Sequence, residues 1–345
     1  MAGAGAAAFV TQHPPNVFYL SGFRGSSGAV LVERQQTTLY TDSRYAIQAA
    51  AEATGAEVQI VQGGLLAAAG KALRAKGARR ALIEAEHLSL SHKAILAKQA
   101  GSRVRWVAAT GVVEELRRVK GPAELEAMRR AARLGSGVFQ EVLPFLRPGV
   151  RENEIAAEIE YRIRRRGASG AAFETIVAFG ERSALPHARP TARKLRKNEL
   201  VVLDWGAILA DYCCDLTRTV YVGRASQEIR GWYAAVRRAQ QAARDAVREG
   251  MAAGRVDAAA RDVLERAGLG KFFIHSTGHG LGLEVHERPR VARGVRDRLR
   301  SGETITIEPG VYREGVGGIR IEDDVVVTSR GSETLTTASR EFLEL

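Results

Sequence analysis

The sequence predicts an α+β protein with a small α/β domain at its N-terminal end. Strand-like and helix-like segments alternate over residues 1–110, which is typical of an α/β unit. Two long amphipathic helices follow and strands then dominate, so helices and strands are segregated in the rest of the chain. We therefore expect two domains, residues 1–110 and 122–345, joined by a linker helix within residues 111–121.

The N-terminal elements are short and bounded by turn-forming residues. Strands are predicted at residues 29–32, 38–40, 57–61, 81–84 and 104–107, and helices at residues 43–53, 65–76 and 91–100. A charged helix at residues 112–119 is expected to end at Lys120-Gly121-Pro122, because proline stops one helix and can open the next.

The C-terminal part begins with two amphipathic helices, residues 123–145 and 152–166, separated by the turn signal Arg147-Pro148-Gly149. Two further helices are predicted at residues 227–249 and 256–267. The predicted strands are residues 173–179, 199–204, 212–221, 272–275, 303–308 and 319–328.

The composition is that of a globular protein. The chain has 345 residues, of which 45% are hydrophobic and 26% charged, enough to bury a core. No apolar run reaches the ~18 residues of a membrane span, and residues 1–8 lack the basic and apolar regions of a signal peptide. The two cysteines, Cys213 and Cys214, are adjacent and poorly placed to pair. We expect a reduced, cytoplasmic enzyme with no membrane partner.

The net charge of +12 raises the question of a nucleic-acid or acidic partner. The basic residues are scattered, however, and short clusters such as Arg164–Arg166 fall on amphipathic helices beside acidic residues. Aromatic residues do not interleave with them as in single-strand binding proteins. We therefore expect a solvated basic surface and no nucleic-acid partner.

Four carboxylates and one histidine occupy polar positions in the strand-rich part of the chain. They are Asp204, Asp215, His279, Glu308 and Glu322. Because strand side chains alternate, residues 304, 306 and 308 share one face while Ile305 and Ile307 share the other. One such polar face could simply meet water, but four of them with a histidine favour a shared site. Hard oxygen ligands of this kind are typical of a two-metal hydrolytic centre.

Local spacing supports that interpretation. Asp204 and Asp215 are eleven apart with Gly206 between them, which suits a hairpin that brings two mutually repelling carboxylates together. His279 is flanked by Gly278 and Gly280, and glycine allows backbone and metal to approach closely. Residues 278–282 lack the G-x-G-x-x-G spacing of a dinucleotide loop, and the chain has no H-E-x-x-H zinc motif.

The residues around these five side chains resemble the "pita-bread" metallopeptidases, the family of methionine aminopeptidase, Xaa-Pro aminopeptidase and Xaa-Pro dipeptidase (prolidase). The strings that resemble the family are Asp204-Trp205-Gly206-Ala207, Asp215-Leu216-Thr217-Arg218-Thr219, Gly278-His279-Gly280-Leu281-Gly282, His286-Glu287-Arg288-Pro289, Ile307-Glu308-Pro309-Gly310 and Arg320-Ile321-Glu322-Asp323. Residues 16–26 and 40–45 resemble the creatinase-type N-terminal domain of the Xaa-Pro branch, although the helix that usually opens this domain is missing.

The resemblance implies a pita-bread catalytic domain with two divalent metals, bound by the five side chains and bridged by Asp215 and Glu322. Manganese is favoured, with cobalt or zinc as alternatives. Glu308 would also carry a proton from the attacking water to the leaving nitrogen. The resemblance implies further roles for other residues: His187 and His286 at the substrate carbonyl, His275 in the proline-side pocket, and Arg320 and Thr217 behind the ligands.

Two activities remain open at this stage, and both hydrolyse the bond before proline. A dipeptidase must hold a free carboxylate after the proline, and Arg290 directly follows the His-Glu-x-Pro string where prolidases carry an arginine for it. We therefore favour a prolidase over an Xaa-Pro aminopeptidase. A non-catalytic binding module on the same fold is more remote, because such relatives lose metal ligands. The resemblance also implies a homodimer acting on small proline-containing peptides.

Overall fold

The computed structural model describes residues 5–345, and the chain divides into two compact units after Arg117. Within the described residues, no helix is both long and apolar enough to cross a membrane.

The first unit is a mixed sheet with the strand order β4-β3-β2-β1-β5-β6. Its strands are β1 Ala8–Thr11, β2 Ala29–Glu33, β3 Thr37–Thr41, β4 Glu57–Ile60, β5 Arg80–Glu84 and β6 Arg105–Ala109. Its helices are α1 Pro14–Ser21, α2 Ala46–Glu52, α3 Leu65–Ala75, α4 Leu90–Ala100 and α5 Glu114–Arg117. β1 is antiparallel to β2 and parallel to β5, which is parallel to β6.

Helices cover both faces of this sheet. Leu31 of β2 packs in one core with Leu66 and Leu73 of α3, whereas its neighbour Val30 packs in another with Val17 of α1. Adjacent strand residues point to opposite faces, so both faces are buried. The predicted α/β character of this part is confirmed.

The sequence prediction missed β1 and α1. β1 is buried along its whole length and has only four residues, so it lacks the polar–apolar alternation of a half-buried strand. α1 starts at Pro14, and paired prolines suggest a turn although proline also suits the first turn of a helix. The predicted helix at residues 112–119 shrinks to α5, since Val119 already pairs in a β-bridge with Glu303.

The second unit is α+β, as predicted. Its helices are α6 Pro122–Val142, α7 Glu152–Arg165, α8 Gln227–Ala246 and α9 Ala253–Arg266. Its strands are β7 Gly170–Ala171, β8 Ile176–Phe179, β9 Glu199–Leu209, β10 Tyr212–Val222, β11 Gly278–Gly280, β12 Glu287–Val291, β13 Thr304–Ile307, β14 Gly310–Arg313, β15 Gly317–Arg320, β16 Asp323–Val327 and β17 Ser332–Thr334.

Two sheets and one hairpin carry these strands. β9 pairs with β10, β7 and β8 in the first sheet, the second has the order β12-β11-β13-β16-β17, and β14 pairs with β15. α6 and α7 pack with Leu203 and Leu216 of the first sheet, and α8 and α9 pack with Ile305 and Ile307 of the second. The polar residues between these isoleucines and leucines therefore point away from the helices.

Four strand predictions in this unit were wrong, and the one at residues 173–179 shortens to β8 at Ile176–Phe179. β9 continues past Asp204 to Leu209, because its ladder with β10 is unbroken up to the turn. Residues 272–275 form no strand, since the guanidinium of Arg261 binds the carbonyl oxygens of Phe273 and His275. The run at residues 319–328 splits into β15 and β16, which belong to different sheets and leave Glu322 between them.

Candidate metal centre

The β9–β10 hairpin brings Asp204 and Asp215 onto one face, as the sequence predicted. Its two-residue turn, Ala210-Asp211, has φ values of 50° and 72°, the left-handed conformation of a tight hairpin turn. Asp204 lies opposite Thr217, and Asp215 is two residues from Thr217 on the same strand. The three side chains consequently share a face, and all three are buried.

His279 lies on β11 between two glycines that the sheet itself requires. A Cβ on Gly278 would stand 1.9 Å from the carbonyl oxygen of Thr306, and one on Gly280 would stand 2.2 Å from that of Arg288. The sequence interpretation linked these glycines to the approach of a metal. The structure shows that both glycines are needed for close strand packing, which fixes the backbone that carries His279.

The ring of His279 is held in one orientation. Its Nδ1 lies 3.0 Å from the carbonyl oxygen of Gly280, which can only accept, so Nδ1 carries the proton. The lone pair of Nε2 is left facing the carboxylates, 3.7 Å from Asp215 Oδ2 and 3.6 Å from Glu308 Oε1. Burial lowers the pKa of His279 to about 4, so the ring is neutral and able to bind a cation.

Glu308 and Glu322 lie where strands end. Glu308 directly follows β13, and Glu322 stands between β15 and β16. Thr217 Oγ1 donates a 2.6 Å hydrogen bond to Glu322 Oε2. Ligand atoms of Asp215, His279 and Glu322 all lie within 4.8 Å of one another, which is a distance that one bound ion could span.

Arg320 organises the other side of the cluster. Its guanidinium donates to Asp204 Oδ2 over 2.6 Å and to Thr217 Oγ1 over 3.0 Å. Thr217 therefore accepts from Arg320 and donates to Glu322, so Asp204 and Glu322 are connected through Arg320 and the hydroxyl group of Thr217. The sequence analysis expected Arg320 and Thr217 behind the ligands, and each donates a hydrogen bond to a carboxylate of the predicted set.

The carboxylates are too close and too buried to be ionised together without compensation. Burial and the charges of Glu322 and Asp204 hold the pKa of Asp215 well above its usual range, and burial does the same for Glu322. Burial raises the pKa of Glu308 to about 8, against the opposing effect of Arg320. Among the described residues, Asp204 Oδ1 and Asp215 Oδ1 are buried without a hydrogen-bond partner. Divalent cations fit this set, because they neutralise the charge and use the unmatched oxygens.

Two histidines proposed to meet the substrate flank this set. The ring centroid of His286 lies 4.3 Å from that of His279, and burial together with His187 lowers the pKa of His286. His187 is exposed in the loop after a 3₁₀ helix at Gly180–Ala184. Arg290 is exposed on β12 directly opposite His279, so the two side chains share one face of the sheet.

His275 is tied to Arg320 through a residue that the sequence reasoning missed. Tyr312 Oη lies 3.0 Å from His275 Nε2 and accepts a 2.6 Å hydrogen bond from Arg320 Nη1. Burial and Arg320 lower the pKa of His275 to about 3, so the imidazole stays neutral. Tyr312 lies on β14, and only its spacing within the Glu-Pro-Gly-x-Tyr string could have marked it in advance.

A second residue missed at the sequence level is Glu152, which is fully buried in the first turn of α7. It accepts hydrogen bonds from Phe179 N, Arg182 Nε and Thr191 Oγ1. These contacts pin both ends of the segment that carries His187. A glutamate in a first helical turn usually meets solvent and the helix dipole, so the sequence gives no signal of this role.

Carboxylates around one neutral histidine form a candidate metal centre of the kind that hydrolases use. Residues 126–329 match the model of metallopeptidase family M24, and residues 1–119 match the creatinase/prolidase N-terminal domain. The chain belongs to metallopeptidase family M24, with the pita-bread fold that its sequence suggested.

Individual relatives agree with that assignment. A Xaa-Pro dipeptidase of Pyrococcus furiosus is 40% identical over 67% of this chain and 67% of its own length. The structure of a Xaa-Pro dipeptidase from Bacillus anthracis superposes with a TM-score of 0.96 at 35% identity, covering 100% of this chain and 96% of that one. The structure of an X-Pro aminopeptidase from Thermotoga maritima superposes with a TM-score of 0.93 at 36% identity, covering 99% of this chain and 98% of that one.

Proposed function

We propose that this metallopeptidase hydrolyses the peptide bond before proline in Xaa-Pro dipeptides, using two divalent cations. Asp204, Asp215, His279, Glu308 and Glu322 would hold the cations. The observation that carries the proposal is that ligand atoms of Asp215, His279 and Glu322 lie within 4.8 Å of one another. Glu308 lies beside His279, and one carboxylate oxygen each of Asp204 and Asp215 is buried without a hydrogen-bond partner. The dipeptidases of Pyrococcus furiosus and Bacillus anthracis support the substrate class.

The bound cations would lower the pKa of a water molecule and stabilise negative charge on the carbonyl oxygen. Glu308 then acts as the proton carrier, because its carboxylate lies beside the ligand set, with Oε1 3.6 Å from His279 Nε2. It takes the proton of the attacking water and gives it to the leaving prolyl nitrogen. His286 and His187 contact the substrate carbonyl and the tetrahedral centre that forms from it.

Proline must be recognised largely by shape, since its amide nitrogen has no hydrogen to donate. His275 supports such a pocket: its neutral ring packs edge-to-face on Phe273 with centroids 5.2 Å apart. Tyr312 Oη lies within hydrogen-bond distance of Nε2 of the imidazole. A ring-lined pocket of this kind would accept the pyrrolidine ring without asking for an N–H group.

Arg290 supports the dipeptidase over the aminopeptidase. It projects on the same sheet face as His279, and an arginine can bind the free carboxylate of a C-terminal proline through two parallel hydrogen bonds. An Xaa-Pro aminopeptidase activity is the alternative, because the structure of the aminopeptidase from Thermotoga maritima is similar over almost the whole chain.

The test is a substrate panel with matched metals. Purified protein is assayed on Xaa-Pro dipeptides and on Xaa-Pro-Xaa tripeptides in manganese, cobalt or zinc. Dipeptides should be cleaved with the higher kcat/KM. Faster cleavage of the tripeptides would move the assignment to the aminopeptidase, and no cleavage with any metal would overturn the peptidase proposal.

The proposal also includes the identity of the cations, the oligomeric state and the cellular compartment. Manganese is proposed first, because the ligand set is dominated by carboxylates. A homodimer in the cytoplasm is proposed, and the thiols of Cys213 and Cys214, which form no disulfide, fit a reducing compartment. Light scattering on the eluting protein would measure the assembly state, and metal analysis of protein purified without added metal would identify the cation.

A further inference from the structure

A second group of metal-ligand side chains lies in the first unit, apart from the residues of the proposed catalytic centre. We define the histidine cluster as His13, His87 and Glu114, whose potential ligand atoms all lie within 4.8 Å of one another. The rings of His13 and His87 stack with centroids 3.6 Å apart and an angle of 7° between their planes. His87 Nε2 lies 3.3 Å from Glu114 Oε1.

The fold explains why residues so distant in sequence meet. β1, β5 and β6 are adjacent parallel strands, and the three residues follow their carboxyl ends. His13 precedes α1, His87 lies in the turn after β5, and Glu114 opens α5. The crevice beyond the carboxyl ends of parallel strands is the place where open α/β sheets bind ligands.

Buried residues orient the carboxylate of this cluster. Asn16 Nδ2 donates to Glu114 Oε1 and to Glu84 Oε1, over 2.6 Å in each case. Asn16 Oδ1 in turn accepts a 2.7 Å hydrogen bond from Arg117 Nη1. Asn16, Glu84 and Arg117 are all buried, so Glu114 is presented by a fixed hydrogen-bonded scaffold. Such outer partners are characteristic of residues that bind metals.

We propose that the histidine cluster is a binding site for a divalent transition-metal ion of the zinc type. Two imidazoles and one carboxylate are the protein ligands of open tetrahedral zinc sites, with the fourth position left to water or another ligand. The side chain of His87 is 27% exposed, which gives an ion access from solvent. The nitrogen-rich set also differs from the carboxylate-rich catalytic set, so the two sites favour different cations.

Binding requires a small rearrangement. The lone pairs of two parallel rings lie in parallel planes and cannot both point at one ion. One imidazole must therefore turn out of the stack, and His87 is the freer of the two because it lies in an exposed turn. The bound ion would then connect the segments after β1, β5 and β6, and so stabilise the first unit.

The experiment uses the full-length protein and counts metal ions. Wild type and single variants are equilibrated with buffered zinc, passed through a desalting column and analysed for bound zinc per chain. His13→Ala and His87→Ala should each bind one equivalent less than wild type. His92→Ala is the matched control, because His92 is another exposed histidine of the first unit outside the cluster.

A thermal-shift measurement gives a second readout that does not depend on activity. Zinc should raise the melting temperature of wild type and of His92→Ala by more than that of His87→Ala, and Glu114→Gln should need at least about tenfold more zinc for the same shift. Equal zinc content and equal shifts in wild type and His87→Ala would overturn the proposal. Failure of the catalytic proposal is distinguishable, since it would leave this one-equivalent difference in place.

Discussion

Arg320 Nη2 and Asp204 Oδ2 form a 2.6 Å ion pair in which both side chains are buried. Replacement of Arg320 by lysine keeps the charge but not the planar fork that also reaches Thr217 and Tyr312. We expect Arg320→Lys to fold and to lose about 10–100-fold in metal affinity or kcat/KM. Kinetic assays at several manganese concentrations measure this, with Arg313→Lys, on the exposed end of β14, as the control. Unchanged activity in Arg320→Lys would show that Asp204 needs no support from this arginine.

Removal of divalent cations should make stability fall as pH rises. The pKa of Glu308 is about 8 in the folded protein, above its usual value, and those of Asp215 and Glu322 are also raised by burial. The folded state therefore holds protons that the unfolded state has lost, so the free energy of unfolding decreases with increasing pH up to about 8.

Calorimetry in chelator and in manganese measures this effect. The window between pH ~6.5 and ~8 isolates the carboxylates. His275 and His279 have lowered pKa values and act with the opposite sign only below this window, and the buried thiols of Cys213 and Cys214 contribute only above it. Protein in chelator should lose thermal stability across this window, whereas manganese should flatten the profile. Identical profiles in the two buffers would contradict a cation site among these residues.

Replacement of glycine by alanine should have opposite effects on stability at a closely packed strand position and at an open helix position. Gly278→Ala would place a Cβ 1.9 Å from the carbonyl oxygen of Thr306, so we expect a loss of at least about 3 kcal/mol in the free energy of unfolding. Gly231 lies in α8, and its Cβ would meet no atom within 4 Å. Gly231→Ala should therefore stabilise the protein by about 0.5–1 kcal/mol. Denaturant titrations would test both signs, and a tolerated Gly278→Ala would mean that β11 can shift.

Arg290 is expected to determine the preference for short substrates. Arg290→Ala should lower kcat/KM on Xaa-Pro dipeptides by about 10–100-fold, from the ~1.5–3 kcal/mol of a hydrogen bond to a charged group. Tripeptides, whose proline carboxylate is blocked, should be affected far less. Arg293→Ala is the control, since Arg293 is an exposed arginine close by in sequence. An equal loss on both substrate lengths would assign Arg290 a structural role instead.

The sequence could predict which face of each strand carries the polar side chains of the site. Ile305, Ile307, Ile319 and Ile321 all lie in the core under α8 and α9, so the polar residues between them face the other way. The hairpin of Asp204 and Asp215 follows from their spacing in the same manner. These features depend only on the period of a strand and on local turns, which neighbouring residues determine.

The side-chain contacts between separate segments could not be predicted in this way. Tyr312, His275 and Arg320 meet although they lie on three separate segments, and Glu152 reaches the His187 loop from a helix. The interruption of the last strand run at Glu322 is also set by pairing partners, because β15 and β16 join different sheets. Such relationships depend on tertiary packing, for which a single sequence carries no periodic signal.

Cys213 and Cys214 immediately precede Asp215 on β10, and both thiols are buried with pKa values raised by burial. Neither offers a reactive thiolate while the strand is in place. Alkylation of these thiols by a small reagent therefore proceeds only when the β9–β10 hairpin opens. The rate of alkylation therefore measures how often the hairpin opens. A slower rate in the presence of a bound cation would measure how strongly the cation stabilises the closed hairpin.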